Sequence, residues 1–160
     1  MRLLFFIAVS AMVLTSCKGT SIAVQQTTKA INGQWTLNQL DYDAEGTYNI
    51  TLFGGIPAKC VEGSQWTFVS NNNRGNYLIT DGSCANVAGP NNFIWTVPDE
   101  MYGYDYSIMV KPVNAKYKSE INNKAYRMSL TEVKENAMLW TYEVPGDGEK
   151  VTIKLHFTRR

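Results

Sequence analysis

The sequence predicts an all-β protein: an antiparallel up-and-down barrel of eight or nine strands. From Trp35 onward, large apolar residues alternate with polar residues over short segments, which is typical of strands with one buried face. Turn residues separate these segments, and no stretch after Trp35 keeps a helical period over three turns. The chain has 160 residues, which is enough for one domain with a substantial core.

Residues 1–16 are predicted to be a removable export signal. Arg2 supplies a positive charge, and the apolar run from Leu3 to Leu14 is interrupted only by Ser10. A helix needs about 20 apolar residues to span a bilayer. The run is shorter than that, so it predicts export rather than a transmembrane anchor.

The end of this signal, Leu14-Thr15-Ser16-Cys17, resembles the bacterial lipoprotein box. The resemblance implies that the Cys17 thiol receives a lipid with long acyl chains such as palmitate, and that the membrane is a partner through this lipid. The alternative is an ordinary signal peptide with a chance cysteine. The following polar, Gln/Thr-rich stretch makes residues 17–30 a predicted flexible tether, and residues 31–160 are then the barrel domain.

Three cysteines in an exported protein leave one over after pairing. If Cys17 carries a lipid, Cys60 and Cys84 remain, and we expect them to form a disulfide in an oxidising compartment. Two free buried thiols are the alternative.

The first predicted strand begins at Gly33-Gln34-Trp35 and contains a phase slip. Trp35 and Leu37 share one parity, whereas Leu40 and Tyr42 fall on the other. A bulge is therefore expected near Asn38-Gln39.

Each later strand is marked by large apolar residues at alternate positions. Asn71 to Gly75 is a strong hairpin signal, and Val113 to Asn123 is a predicted polar loop in which Lys116 to Ile121 form at most one helical turn. All five prolines fall at predicted strand ends or in loops, as strands that need their amide donors require. The alternating sets are Tyr48, Ile50 and Leu52; Trp66 and Phe68; Tyr77 and Ile79; Phe93, Trp95 and Val97; Tyr104, Tyr106, Ile108 and Val110; Tyr126, Met128 and Leu130; Met138, Trp140 and Tyr142; and Val151, Ile153, Leu155 and Phe157.

Pairing these strands in chain order and closing the sheet removes the exposed edges that an open sheet of this size would present. A two-sheet sandwich of the same strands is the alternative architecture.

Several of these features together resemble the lipocalin superfamily: Gly33-x-Trp35 on the first strand, an eight-strand rhythm, and an arginine at the end of the last strand. The resemblance implies that Arg159 packs across the indole of Trp35 at a closed end of the barrel. Parity favours Arg159 over Arg160, because Arg159 shares the face of Phe157. The Thr-Asp-Tyr motif of the family is absent in recognisable form.

The stretch Cys60 to Phe68, with Asn71 to Tyr77 and Cys84 after it, resembles the lipocalin-like lipoproteins of Bacteroidetes. This resemblance implies a place in the bacterial cell envelope, on the outer membrane. Some families of that phylum carry acidic residues after the lipidated cysteine as a surface-export signal. Lys18-Gly19-Thr20-Ser21 lacks them, which favours a periplasm-facing position.

Charge and chemistry narrow the function classes. Removing Arg2 with the leader leaves 14 basic and 14 acidic side chains without a basic run, which argues against nucleic acid as a partner. A single histidine does not supply a His-based metal cluster, and no serine or cysteine has a histidine base nearby in sequence. We therefore expect no enzyme activity, no catalytic residue, no metal and no cofactor.

The predicted inward-facing aromatic residues have two interpretations. They fill a core, or they line a cup that binds a small hydrophobic or amphipathic ligand. The second leads, with a structural or interaction lipoprotein that has a filled barrel and acts through its loops as the alternative. An interior cavity above about 300 Å³ favours binding. The candidate ligand-binding residues are Trp66, Tyr77, Trp95, Tyr106, Tyr126 and Trp140.

Overall fold

The computed structural model describes residues 22–43, 49–99, 106–145 and 150–160. The predicted export signal, Cys17, Tyr48 and Tyr104 lie outside the described residues. None of the helices in the described ranges is long and apolar enough to cross a membrane.

Eight antiparallel strands close into a barrel, which confirms the predicted fold class and excludes the sandwich. They follow one another around the barrel in chain order, and the first strand pairs with both the last strand and the second barrel strand. Two further short strands, β2 (Thr51–Leu52) and β3 (Ile56–Pro57), form a separate hairpin. The barrel strands are β1 (Gly33–Tyr42), β4 (Gln65–Val69), β5 (Arg74–Ile79), β6 (Gly89–Thr96), β7 (Ser107–Val113), β8 (Tyr126–Val133), β9 (Ala137–Pro145) and β10 (Lys150–Arg159).

The register of β1 on β10 contains the predicted bulge. Leu37 pairs with Phe157, and the next pair is Gln39 with His156, so Asn38 is the extra residue. The bulge shifts the parity of β1, and Trp35, Leu37 and Leu40 are all buried as a result.

The predicted tether is wrong from residue 22 onward, where a helix forms. The helix α1 (Ile22–Ile31) buries Val24 and Ile31 against the barrel. The folded domain therefore includes Ile22 to Ala30, which lie before its predicted start at Ile31.

Two shorter helical segments lie in connections between strands. The helix α2 (Ala58–Val61) follows β3, and a 3₁₀ turn covers Gly82–Cys84. The one-turn helix considered for Lys116 to Ile121 does not form. Tyr117 has a φ of 56° there, which is outside the right-handed helical region.

Candidate ligand site at the barrel mouth

One end of the barrel is closed by α1, and we call it the closed end. It contains the start of β1 and the end of β10. The Arg159 guanidinium carbon lies 4.2 Å from the centroid of the Trp35 ring. The predicted packing of Arg159 on Trp35 is confirmed.

Arg159 and Trp35 also bind the backbone of α1 and its flanks. Arg159 donates from Nη2 to the Ala30 carbonyl at 2.5 Å and from Nη1 to the Asn32 carbonyl at 3.0 Å. The indole nitrogen of Trp35 donates to the Ile31 carbonyl at 2.7 Å. Gly33 is required here, because its φ is +123° and a Cβ would lie 2.8 Å from Arg159 Nη1.

Aromatic rings fill the middle of the barrel. Trp66 stacks on Tyr77 with ring centroids 4.4 Å apart, and Trp140 lies 4.5 Å from Phe157. Trp95 meets Phe68 edge to face at 5.5 Å. The interior at this level is therefore a packed core, and the three tryptophans on inward-facing positions are at most 1% exposed.

The opposite end, which we call the mouth, holds an inserted hairpin. The plug segment, residues 49–57, contains β2 and β3 and carries Phe53 at its tip. The Phe53 ring is 4% exposed and lies 5.5 Å from Trp66, 5.7 Å from Tyr77 and 6.0 Å from Tyr126. Phe53 therefore covers the ring core from above.

The backbone at the tip of the plug segment is left-handed. Phe53 has a φ of 48°, and Gly54 and Gly55 have φ values of 96° and 115°. Glycine adopts these angles without steric cost, whereas a phenylalanine there stores backbone strain. The packing of the Phe53 ring on the core offsets that strain.

Three of the clefts formed by the described residues adjoin the plug segment at the mouth. The largest of these three has a volume of about 500 Å³ and lies between the plug segment, the start of β8 and the end of β9. Two smaller clefts, of about 320 and 250 Å³, lie on its other sides. We call the largest the mouth cleft; its lining is Asn49, Ile50, Thr51, Gly54, Gly55, Ile121, Lys124, Tyr126, Tyr142, Val144 and Pro145.

The mouth cleft combines apolar surface with a few polar groups. The Tyr126 and Tyr142 rings meet edge to face at 6.4 Å, and the Lys124 ammonium lies 5.2 Å from the Tyr126 centroid. Burial raises the pKa of the Tyr142 hydroxyl, and the nearby Tyr126 adds to the effect. The Tyr142 hydroxyl is therefore neutral at neutral pH. No described lining residue carries a carboxylate.

The structure separates the six sequence-predicted ligand residues. Tyr126 lines the mouth cleft, and Tyr77 lines the smallest of the three clefts. Trp66, Trp95 and Trp140 lie in the packed core and line none of these three clefts. The sixth, Tyr106, is 40% exposed and precedes β7.

Sequence reasoning missed Lys124, Ile121 and the glycine pair as lining residues. The Phe53-Gly54-Gly55 sequence does indicate the tip of the plug segment, because paired glycines are typical of a tight turn. The aromatic residue before them is then placed at that turn. Lys124 lies in a polar loop and has no pattern that distinguishes it.

The predicted disulfide is confirmed. Cys60 in α2 and Cys84 in the 3₁₀ turn are bonded, with their Cα atoms 5.8 Å apart. The bond joins the chain just after the plug segment to the chain just after β5. It fixes one end of the plug segment to the barrel.

No group of three or more metal-ligating side chains occurs within the described ranges of the chain. No known protein-family model matches this sequence, and a search of curated proteins finds no significant match.

Proposed function

We propose that this protein is an exported lipoprotein, anchored by Cys17, that binds a small amphipathic molecule in the mouth cleft. The cleft carries the proposal: its volume of about 500 Å³ falls within the range of small-molecule sites, about 300 to 1,000 Å³. The leader and the lipoprotein box support the anchor, and the resemblance to lipocalin-like lipoproteins agrees with both parts.

The lining explains the expected class of ligand. Ile50, Ile121 and Val144 offer apolar surface, and two tyrosine rings form part of the wall. Lys124 places a positive charge at one side. A molecule with a flat or aliphatic apolar part and a polar or anionic end fits this combination.

The ring core supports one alternative, a structural or interaction lipoprotein that acts through its loops. Trp66, Phe53 and Tyr77 leave the barrel interior without the deep cup that the sequence predicted. In this alternative the mouth cleft holds only water.

Binding to the soluble protein distinguishes the two. A Cys17→Ser variant, which removes the lipid, is mixed with a lipid extract and examined by native mass spectrometry. Fatty acids, bilins and quinones are then titrated while the intrinsic fluorescence is followed. A saturable ligand supports the proposal, and its absence from the extract and all three compound classes would assign the protein to the alternative.

Two tyrosine variants locate the site. Tyr142→Ala removes a ring from the mouth cleft and is expected to weaken binding about tenfold, since a well-placed ring contributes about 1 kcal/mol or more. Tyr117→Ala is the matched control, because Tyr117 packs on Arg74 at 4.0 Å and does not line the cleft. Equal losses in both variants would place the ligand elsewhere.

A further inference from the structure

We propose that the anchor holds the closed end of the barrel next to the membrane, so that the mouth cleft opens toward the aqueous side. This inference rests on the lipidation of Cys17 that is part of the proposed function. It follows from the position of α1 at the closed end and from the short separation between Cys17 and Ile22 in the sequence.

The helix α1 lies across the closed end. Val24 and Thr28 line a cleft together with Ser70, from the turn after β4, and with Thr96 and Val97, from the end of β6. All of these barrel residues are at the closed end, because β4 and β6 both finish there. Arg159 holds the other end of the helix at the same place. The whole helix is therefore positioned at the closed end.

The chain between the anchor and α1 is short. Cys17 and Ile22 are five peptide steps apart in the sequence. A fully extended chain advances at most about 3.6 Å per step, so this linker spans at most about 18 Å. The limit is independent of the conformation of the linker.

The barrel is taller than that reach. The strand β10 has ten residues, which corresponds to about 30 Å along the strand. With a strand tilt of about 40°, the axial height is about 23 Å. If the mouth faced the membrane, the linker would have to cross that height from α1 to reach the bilayer. The linker is shorter than that height, so an orientation with the mouth on the bilayer is disfavoured.

The orientation determines the route of the ligand. A mouth that opens toward water receives its ligand from solution or from a soluble donor. It does not take the ligand directly out of the bilayer that carries its own anchor.

Two single-cysteine labels test the orientation on the lipidated, full-length mature protein. The sequence has three cysteines, so with Cys17 acylated and Cys60 bonded to Cys84 an added thiol reacts alone. Asn71→Cys places a donor dye in the exposed turn at the closed end, and Ala115→Cys places it on the exposed loop beside the mouth. Energy transfer is measured to an acceptor on the headgroups of phosphatidylcholine vesicles.

Transfer is expected to be several-fold higher from position 71 than from position 115. A variant with about 20 Gly and Ser residues inserted before Ile22 is the control, because a flexible linker of that length reaches past the barrel. In that variant the difference between the two labels is expected to shrink towards zero.

Three results would overturn the inference. Transfer that is equal from both labels, or higher from position 115, contradicts the orientation. A difference that persists with the long linker shows that linker reach does not set it. A mature chain without acyl groups on Cys17 removes the premise. Ligand binding by the soluble Cys17→Ser protein is measured independently, so it separates failure of this inference from failure of the binding proposal.

Discussion

At the residue scale, Arg159 provides hydrogen-bond donors for backbone carbonyls at the C-terminal end of α1. The last carbonyls of a helix have no partner within the helix. Asn32 donates its amide to the Thr28 carbonyl, Trp35 donates to Ile31, and Arg159 donates to Ala30. The guanidinium also places a positive charge at the negative end of the helix dipole. The Arg159 side chain therefore connects β10, the final strand, to both α1 and β1.

The first prediction is that Arg159→Ala lowers the free energy of unfolding by about 2 to 4 kcal/mol. The change removes hydrogen bonds from a charged donor and the cation–π contact with Trp35. Arg160→Ala is the matched control, with an expected cost within about 0.5 kcal/mol, because the Arg160 side chain makes an exposed hydrogen bond to the Gln65 side chain and the substitution keeps the backbone hydrogen bond to Gln34. Urea unfolding of the soluble protein measures both. Similar costs for the two variants would contradict the assigned role.

The second prediction concerns alkaline pH. Burial raises the pKa of the Tyr77 hydroxyl well above its usual range, and Tyr126 adds to the effect. The unfolded chain loses this proton near its ordinary pKa of about 10, whereas the folded chain keeps it. Stability should therefore be complete below about pH 10 and fall as the pH rises further.

Tyr77→Phe is expected to flatten that fall, because the titrating group is gone. Tyr142→Phe is the comparison and should flatten the fall less, because burial also raises the pKa of Tyr142 but this residue is less buried than Tyr77. Unfolding free energies measured from pH 8 to about 11.5 give the slopes. An unchanged slope in Tyr77→Phe would show that other groups control alkaline unfolding.

At the element scale, the plug segment differs from the barrel strands around it. Each barrel strand pairs with two neighbours, whereas β2 and β3 pair only with each other. Besides the Phe53 ring, a hydrogen bond from the Ala58 amide to the Ile50 carbonyl holds the base of the segment. Its position therefore depends on the buried Leu52 and Phe53 side chains, on this hydrogen bond and on the disulfide beyond it.

The third prediction uses the left-handed backbone of Phe53. Phe53→Ala is expected to cost about 3 to 5 kcal/mol, because it removes the ring from the core. Phe53→Gly loses the same contacts but relieves the backbone strain, so it should be more stable than the alanine variant by about 1 kcal/mol. At an ordinary strand position the order is reversed. Urea unfolding of both variants checks it, and alanine being the more stable would contradict the left-handed φ.

Most barrel strands were predictable from the sequence, but α1 was not, and the predicted second strand with Ile50 and Leu52 belongs to the separate hairpin instead of the barrel. A period of two and the bulge after Leu37 follow directly from which residues are apolar. The buried face of α1 consists of Val24 and Ile31 with Thr28 between them, so a helical spacing is present but one of its positions is polar. The contacts that stabilise this helix come from the barrel strands and from Arg159, which lies about 130 residues later in the sequence. A local pattern in the α1 segment does not reveal them.

The mouth cleft was only partly predictable. Parity identified Tyr126 as facing inward and placed the tryptophans on the same side. Parity does not predict whether the inward-facing rings leave a cavity in the barrel, because that depends on the combined volume of rings from different strands. Trp66 and Trp140 meet at 5.9 Å from opposite sides of the barrel and fill its middle. The mouth cleft lies beyond this packed middle, where a loop rather than a strand determines the geometry.

At the scale of the whole molecule, the two ends of the barrel differ in the elements that cover them: α1 covers the closed end, and the plug segment covers the mouth. Closure of β1 on β10 gives every barrel strand two partners, and the closed end adds α1 with its Arg159 contacts. The mouth has three clefts around one short hairpin. Local opening requires the least energy where few buried contacts must break.

The fourth prediction is that native-state hydrogen exchange divides along this axis. Amides of β1 and β10 near Trp35 should exchange slowest, at rates set by global unfolding, because opening there breaks both the sheet and the helix contacts. Amides of the plug segment should exchange orders of magnitude faster. Thr51, Gly54 and Lys124 line the mouth cleft, so a saturating ligand bound there should slow exchange in residues 49–57 and 121–126 and leave α1 unchanged. Protection of α1 instead would place the ligand at the closed end and contradict the mouth cleft as its site.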